Sequence, residues 1–290
     1  MKVYLRRCFF VFLFQLVCLF SVFSNAKVVV FVPGYFNSLI PGHIDQKLKY
    51  NPYWSYNIIN IYRKAGYKVF VVNNLNPVAK IETNGALLLK YLDSIQNEID
   101  PEEGFSVIAH SSGGLYTIAA NNIRSLPIRK MIAINTPFDG VDFIEKLTKA
   151  YPCLVELEKR INLQSINQLR PSLVREFLSN LHVKPQFPIM GVAGGQERNI
   201  YNLLDAAYLT PIFYLTQALM DAPSDGVVTR RSAMAAPSHL VDVQESNEYI
   251  LLDHFKQNLG AEYYQGLGLQ NTDYIRKEQN RFYSRLLNYL

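Results

Sequence analysis

The stretch EEGFSVIAHSSGGLYTIAA, residues 102–120, joins two apolar runs through His110-Ser111-Ser112-Gly113-Gly114. A serine at a sharp strand-to-helix turn can be presented as a nucleophile. The residues two before and two after it must be small, or strand and helix collide. Centred on Ser111, those positions are Ala109 and Gly113, and Gly114 eases the helix packing. Centred on Ser112, the bulky His110 falls at the tight position. Sterics therefore select Ser111. The backbone N–H of Ser112 would then lie at the helix start and face a developing oxyanion. The plainer alternative is an ordinary turn capped by serine.

A serine nucleophile needs a base, and the base needs an orienting acid. There are five histidines. His43 and His182 lie in loop or insertion sequence with no matching acid after them. His110 adjoins the nucleophile, where a packed or hydrogen-bonded role suits it better. His239 opens the run HLVDV (239–243), which reads as a strand, and so falls at the end away from the site. His254, in LLDHFKQ, follows that run and is placed to reach Ser111. For the acid, APSDGVVT (222–229) sets Asp225 in a polar turn with Gly226 easing the bend. Asp221 is the neighbouring rival, and Asp253 is too near His254 in sequence to hold its ring. The order Ser111, Asp225, His254 is the Ser…Asp…His order of one particular fold. A second oxyanion donor is expected after the first strand, in FVPGYFNS (31–38). There Gly34 permits a close turn and the N–H of Tyr35 points inward; a simple Pro-Gly turn is the bland alternative.

These residues need a frame to hold them. Residues 27–32 (KVVVFV) are a β-branched run that reads as a strand buried on both faces. Further strands are expected over 67–72, 105–109, 129–135, 187–193 and 239–243. Helical spacing covers 53–65, 81–99 and 112–123. The alternation implies a parallel sheet with helices on both faces. Two segments break the rhythm: residues 141–183, with a helical piece over 171–181, and the apolar stretch 199–220. Both follow strand ends, where open α/β sheets bind ligands. Leu173, Val174, Phe177, Leu178 and Leu181 form a stripe that suits either a lid in contact with lipid or a cover for the core.

The first 26 residues read as a secretory leader: Lys2, Arg6 and Arg7, an apolar run from Cys8 to Phe23, then Ser24-Asn25-Ala26 as small residues before the cut. An uncleaved anchor is the alternative, though the run is short against the roughly 20 residues of a span. About 264 of the 290 residues remain, enough for one large α/β domain over 27–290. Without the three basic residues of the leader, the formal charge of +5 falls to about +2, which argues against nucleic acid as the main partner. Of the three cysteines only Cys153 lies beyond the leader, so no internal disulfide is possible despite export to the periplasm or beyond.

Four motifs, VFVPGYFNS, AHSSGGL, APSDGVVT and LDHF, resemble in order and spacing those of the α/β-hydrolase family, in particular the small bacterial triacylglycerol lipases. NTPFDG (135–140) is similar to a Ser/Thr-Pro-x-x-Gly turn of these lipases. The resemblance implies an α/β-hydrolase fold without its two N-terminal strands and with a helical, lid-like insertion. It implies ester hydrolysis by Ser111, Asp225 and His254, an oxyanion hole from Tyr35 and Ser112, a lipid or acyl-ester substrate and no cofactor. The departures are informative. Pro33-Gly34 stands where many relatives have His-Gly, and also occurs in enzymes similar to lecithin:cholesterol acyltransferase, so acyl transfer stays open. Calcium-binding lipases carry an aspartate two residues after the histidine; Lys256 occupies that place, which implies no calcium site. A thioesterase, a peptidase and a non-catalytic binding protein are the remaining readings.

Overall fold

The computed structural model describes residues 26–35, 53–150, 164–195, 223–235, 243–260, 264 and 272–290. Residues 1–25 of the expected leader, all of 199–220, and His43, Cys153, Asp221 and His239 lie outside the described residues. Six strands form one sheet: β1 (Val28–Val32), β2 (Lys68–Val71), β3 (Phe105–His110), β4 (Ile128–Ile134), β5 (Ile189–Gly194) and β6 (Val243–Ile250). Their order is β2-β1-β3-β4-β5-β6 and every pairing is parallel. The chain steps from β1 outward to β2, then returns to place β3 on the other side of β1. That reversal opens a crevice at the carboxyl ends of β1 and β3, the usual ligand position in such sheets.

Side chains alternate across the sheet. Val28, Val30 and Val32 of β1 enter one core cluster, and Val29 and Phe31 enter the other. The first cluster is covered by α2 (Ile81–Ser94) and α3 (Gly113–Ile123). These two helices pack so closely that a Cβ on Gly85 would sit 2.5 Å from the Ala119 Cβ. Residues Gly113 to Asn121 of α3 are all buried, as expected of a helix enclosed by its neighbours. The second face is covered by α1 (Tyr56–Lys64) and by α8 (Asp273–Leu286). Its aromatic rings meet edge to face: Phe31 lies 5.0 Å from Trp54 and 5.2 Å from Tyr62, centroid to centroid.

The elements differ from the expected ones at three places. The sixth strand, expected over 239–243, is described over Val243–Ile250; residues 239–242 lie outside the described residues. Its sequence, VQESNEYI, lacks the apolar run of a central strand because it pairs on one side only, with β5, among the described residues. The helix expected over 81–99 stops at Ser94, and a short 3-10 turn, Gln96–Glu98, follows Ile95 at φ −113°. Helix α8 escaped the sequence reading because charged residues dominate it. Its buried Ile275, Gln279, Phe282, Tyr283 and Leu286 nonetheless keep helical spacing.

Residues 141–183 contain α4 (Asp142–Ala150), a short α5 (Gln164–Asn167) and α6 (Pro171–Ser179). Pro171 opens α6, where its missing N–H costs nothing. Val174 and Leu178 of α6 are buried in the first cluster, and Phe177 and Leu181 pack against it. Of the two roles open to this stripe, covering the core is the one this conformation displays. Leu178→Ala should therefore lower unfolding stability by about 2–5 kcal/mol, read from urea denaturation. A change near zero would mean that α6 spends its time clear of the core.

Candidate active site

Strand β3 ends at His110, and the next residue turns back sharply. Ser111 has φ 56°, a left-handed conformation that costs a residue with a Cβ about 1–2 kcal/mol. The Ser111 N–H is held by the Ile134 carbonyl at 2.9 Å. The turn works because its neighbours lack side chains. A Cβ on Gly113 would come within 2.4 Å of the Val32 carbonyl oxygen, and one on Gly34 within 2.5 Å of the Ser111 Cβ. Ser112 closes the turn, and α3 starts at Gly113.

His254 stands in the turn after β6, and Asp225 in the loop that precedes α7 (Arg230–Met234). The two are tied twice. The backbone N–H of His254 donates to the Asp225 carbonyl at 2.9 Å, and Nδ1 faces Asp225 Oδ2 at 2.6 Å. On the other side of the ring, Nε2 lies 3.0 Å from Ser111 Oγ. Ser111, Asp225 and His254 are all buried. The buried carboxylate is well supplied with donors. Oδ1 accepts from the N–H groups of Val227 and Val228 at 3.0 and 2.8 Å, and Oδ2 also accepts from Gln257 Nε2 at 3.2 Å. An acceptor facing Nδ1 selects the Nδ1–H tautomer, which leaves Nε2 to accept the serine proton.

No protein-family model matches the chain, and no curated protein matches it. Solved structures do. A metagenomic carboxyl esterase superposes with a TM-score of 0.64 at 14% identity, over 92% of this chain and 76% of its own. Lipase 1 of Pelosinus fermentans gives 0.57 at 14% identity, over 87% and 99%. A mature lipase of Bacillus licheniformis gives 0.53 at 18% identity, over 80% and 86%. The chain has the α/β-hydrolase fold. In this α/β-hydrolase frame the turn of Ser111, the loop of Asp225 and the turn of His254 follow β3, β5 and β6.

The structure thus brings Ser111, Asp225 and His254 together, with Gly34 and Tyr35 following β1 beside them. Tyr35 is buried and Ser112 almost wholly so, and Ser112 Oγ donates to the Tyr116 hydroxyl at 3.0 Å. Burial pushes the Tyr116 hydroxyl up to about 12, against the Ser112 contact, so it stays protonated. His182 is exposed near α3 and does not approach the site; its N–H bonds Asn122 Oδ1 at 2.7 Å. His110 is buried beside His254, their ring centroids 4.6 Å apart. Sequence reasoning missed Tyr53, Asn135 and Gln257, which line the back of the site. Nothing in their spacing marks them, because each arrives from a different element.

Asp253 is occupied elsewhere. Its Oδ1 accepts from the N–H groups of Phe255 and Lys256 at 3.1 and 2.9 Å, and Oδ2 lies 3.1 Å from Lys256 Nζ. The Lys256 side chain is only 4% exposed and lies 5.7 Å from the Tyr274 ring centroid. Burial works against its charge, but Asp253 and then Tyr274 outweigh burial and hold its pKa above the ordinary lysine value. The turn therefore contains its own cation, and no cluster of three or more His, Cys, Asp or Glu that could hold a metal occurs among the described residues. EDTA should accordingly leave the melting temperature unchanged. A fall that calcium restores would overturn this.

Proposed function

We propose that this chain is an exported serine carboxylic-ester hydrolase that acts on acyl glycerols or related lipid esters through an acyl-enzyme. The observation that carries the reading is the uninterrupted Ser111–His254–Asp225 relay, with contacts of 3.0 and 2.6 Å. The likeness of the fold to two lipases and a carboxyl esterase supports the choice of an ester as substrate. The apolar segment 199–220 supports a long acyl chain and contact with a lipid surface. Export rests on the leader of residues 1–26.

In the first half-reaction His254 Nε2 takes the Ser111 proton as Oγ attacks the ester carbonyl carbon. The carbonyl oxygen becomes an oxyanion, held by the backbone N–H groups of Tyr35 and Ser112. Asp225 orients the ring and stabilises the imidazolium. The tetrahedral adduct collapses, the bond to the leaving alcohol breaks, and His254 returns its proton to that alcohol. In the second half-reaction His254 takes a proton from water, whose oxygen attacks the acyl-enzyme carbonyl. Ser111 then leaves and regains its proton. No step requires a metal or an organic cofactor. Acyl transfer would use the same groups with an alcohol in place of water, and Pro33-Gly34 keeps that alternative in view.

p-Nitrophenyl esters of graded chain length test the reading directly. Turnover should rise with chain length, and Ser111→Ala should lower it by a factor on the order of 10⁶ while leaving the fold intact. Ser112→Ala should be far milder, since that residue contributes a backbone N–H. A more damaging Ser112→Ala would move the nucleophile by one residue.

His254→Ala and Asp225→Ala should each reduce kcat by roughly 10⁴-fold or more. The double variant should be little worse than His254→Ala, because acid and base act as one unit. Near-normal rates in Asp225→Ala would transfer the acid role to Asp221.

A further inference from the structure

Behind Ser111, His254 and Asp225 runs a buried polar chain that the proposed reaction does not need for its balance. Gln257 is its node: fully buried, in the turn that carries His254, with its amide touching four groups. Nε2 lies 3.0 Å from the Leu252 carbonyl oxygen and 3.2 Å from Asp225 Oδ2. Oε1 lies 2.7 Å from Asn135 Nδ2 and 3.2 Å from His110 Nε2.

The direction of each bond follows from groups that cannot exchange roles. A backbone carbonyl only accepts, so the Gln257 atom facing Leu252 is the amide nitrogen. The Gly194 N–H only donates, and it lies 2.9 Å from Asn135 Oδ1. Asn135 therefore turns its Nδ2 toward Gln257 as a donor. With Oε1 of Gln257 established as an acceptor, His110 Nε2 must carry the hydrogen. His110 Nδ1 is left to accept, and the Tyr53 hydroxyl donates to it at 2.7 Å. The Tyr53 oxygen accepts in turn from the backbone N–H of Gly34. Burial, and then the neighbouring His254, push the His110 pKa well below the ordinary histidine value, which keeps the neutral ring this pattern needs.

The chain of donors thus runs one way, from Gly34 through Tyr53, His110 and Gln257 to the Asp225 carboxylate. His254 approaches the same oxygen from the other side, with Ser111 behind it. Gly34 itself abuts Ser111, so the path closes around the reacting centre.

We propose that Gln257 is a positioning residue: its amide couples the loop after β1 to the acid loop, and holds Asp225, and through it the His254 ring, in the geometry the nucleophile requires. This rests on the hydrolase reading, since it assigns Gln257 to the support of that reaction. The ionisable groups nearest the amide are Asp225 and His110, with His254 beyond Asp225; the Tyr283 hydroxyl donates to the Gln257 backbone carbonyl at 3.2 Å.

Two variants of the full chain test it on a short, dissolved p-nitrophenyl ester. Gln257→Leu removes the donor and the acceptor together. It should lower kcat by about 10–100-fold, as loss of the hydrogen-bond partner behind a metal-ligating side chain does, with KM unchanged. Gln257→Glu separates positioning from mere packing. A neutral carboxyl at 257 can still donate to Asp225 and accept from His110; an ionised one sets a second negative charge beside Asp225. Its rate relative to the parent enzyme should therefore fall as pH rises through that ionisation, whereas a packing role gives a constant ratio. An unaltered kcat in Gln257→Leu, or a constant ratio across pH in Gln257→Glu, would overturn the proposal.

Ring ¹⁵N and ¹H NMR reads the same coupling without turnover, so that a parent enzyme inactive on every ester would sink the hydrolase reading alone. The parent should show His110 as the neutral Nε2–H tautomer and a downfield Nδ1–H proton on His254. In Gln257→Leu both signals should change. If the His254 proton keeps its position there, Gln257 does not hold the acid.

Discussion

The structure turns on a place where there is no room for a side chain. The loop after β1 and the turn after β3 pass so closely that a single methyl on Gly34 or Gly113 would overlap backbone or Ser111 itself. This contact exists because the sheet order puts β1 directly beside β3. It forces Ser111 into a left-handed conformation, and the surroundings must over-determine that conformation for it to persist. They do so through the Ile134 carbonyl on one side and through the Ser111 carbonyl on the other, which accepts from Gly114 at 3.3 Å. The reward is a hydroxyl projected from the strand end toward the crevice. Every other part of the site is arranged around that hydroxyl.

A second constraint follows from burial. Asp225 lies in the interior, where an unpaired carboxylate would be prohibitively costly. The local sequence solves this with short-range geometry. Gly226, at φ 96°, reverses the chain so that Val227 and Val228 point their N–H groups back at Oδ1. Ser224 and Thr229 pair across the loop, and Thr229 then caps α7 by accepting from Ser232. The loop is thus braced by its own hydrogen bonds in addition to those it makes with His254. A carboxylate held this way is the preorganised partner that the proposed reaction asks of Asp225.

The sequence was most legible where local sterics and chemistry coincide. The run VVVFV announces a doubly covered strand, and the small residues around Ser111 announce a tight turn, because both are properties of a few consecutive residues. The order of Ser111, Asp225 and His254 along the chain could be read for the same reason. The sixth strand, described over Val243–Ile250, shows the limit. Among the described residues this strand pairs with β5 alone and VQESNEYI carries no apolar run, so the neighbouring HLVDV is the stretch that reads as a strand. Gln257, Asn135 and Tyr53 were illegible for a different reason. Their roles arise only when three separate elements meet, and a glutamine three residues after a histidine has no sequence pattern of its own.

Helix α8, also unread in the sequence, explains how the histidine turn is held. Four successive carbonyls of that turn find donors. Gln279 of α8 donates from Nε2 to the Lys256 and Leu259 oxygens, each at 2.8 Å, and Tyr283 of α8 donates to the Gln257 oxygen. The Asn258 oxygen accepts from the Ser55 N–H at 2.7 Å, at the start of α1. Asn258 Nδ2 donates to the Tyr53 carbonyl at 2.7 Å, binding the turn to the residue whose hydroxyl meets His110. Around these bonds stand Trp54, Tyr62, Phe282 and Tyr283, all buried, which exclude water and so strengthen each polar contact they enclose. A surface helix rich in charge is therefore what fixes the backbone of the turn that carries His254. Its buried side is split between apolar residues that cover the sheet and polar ones that bind the turn, and that mixture is why hydrophobic periodicity alone did not reveal it.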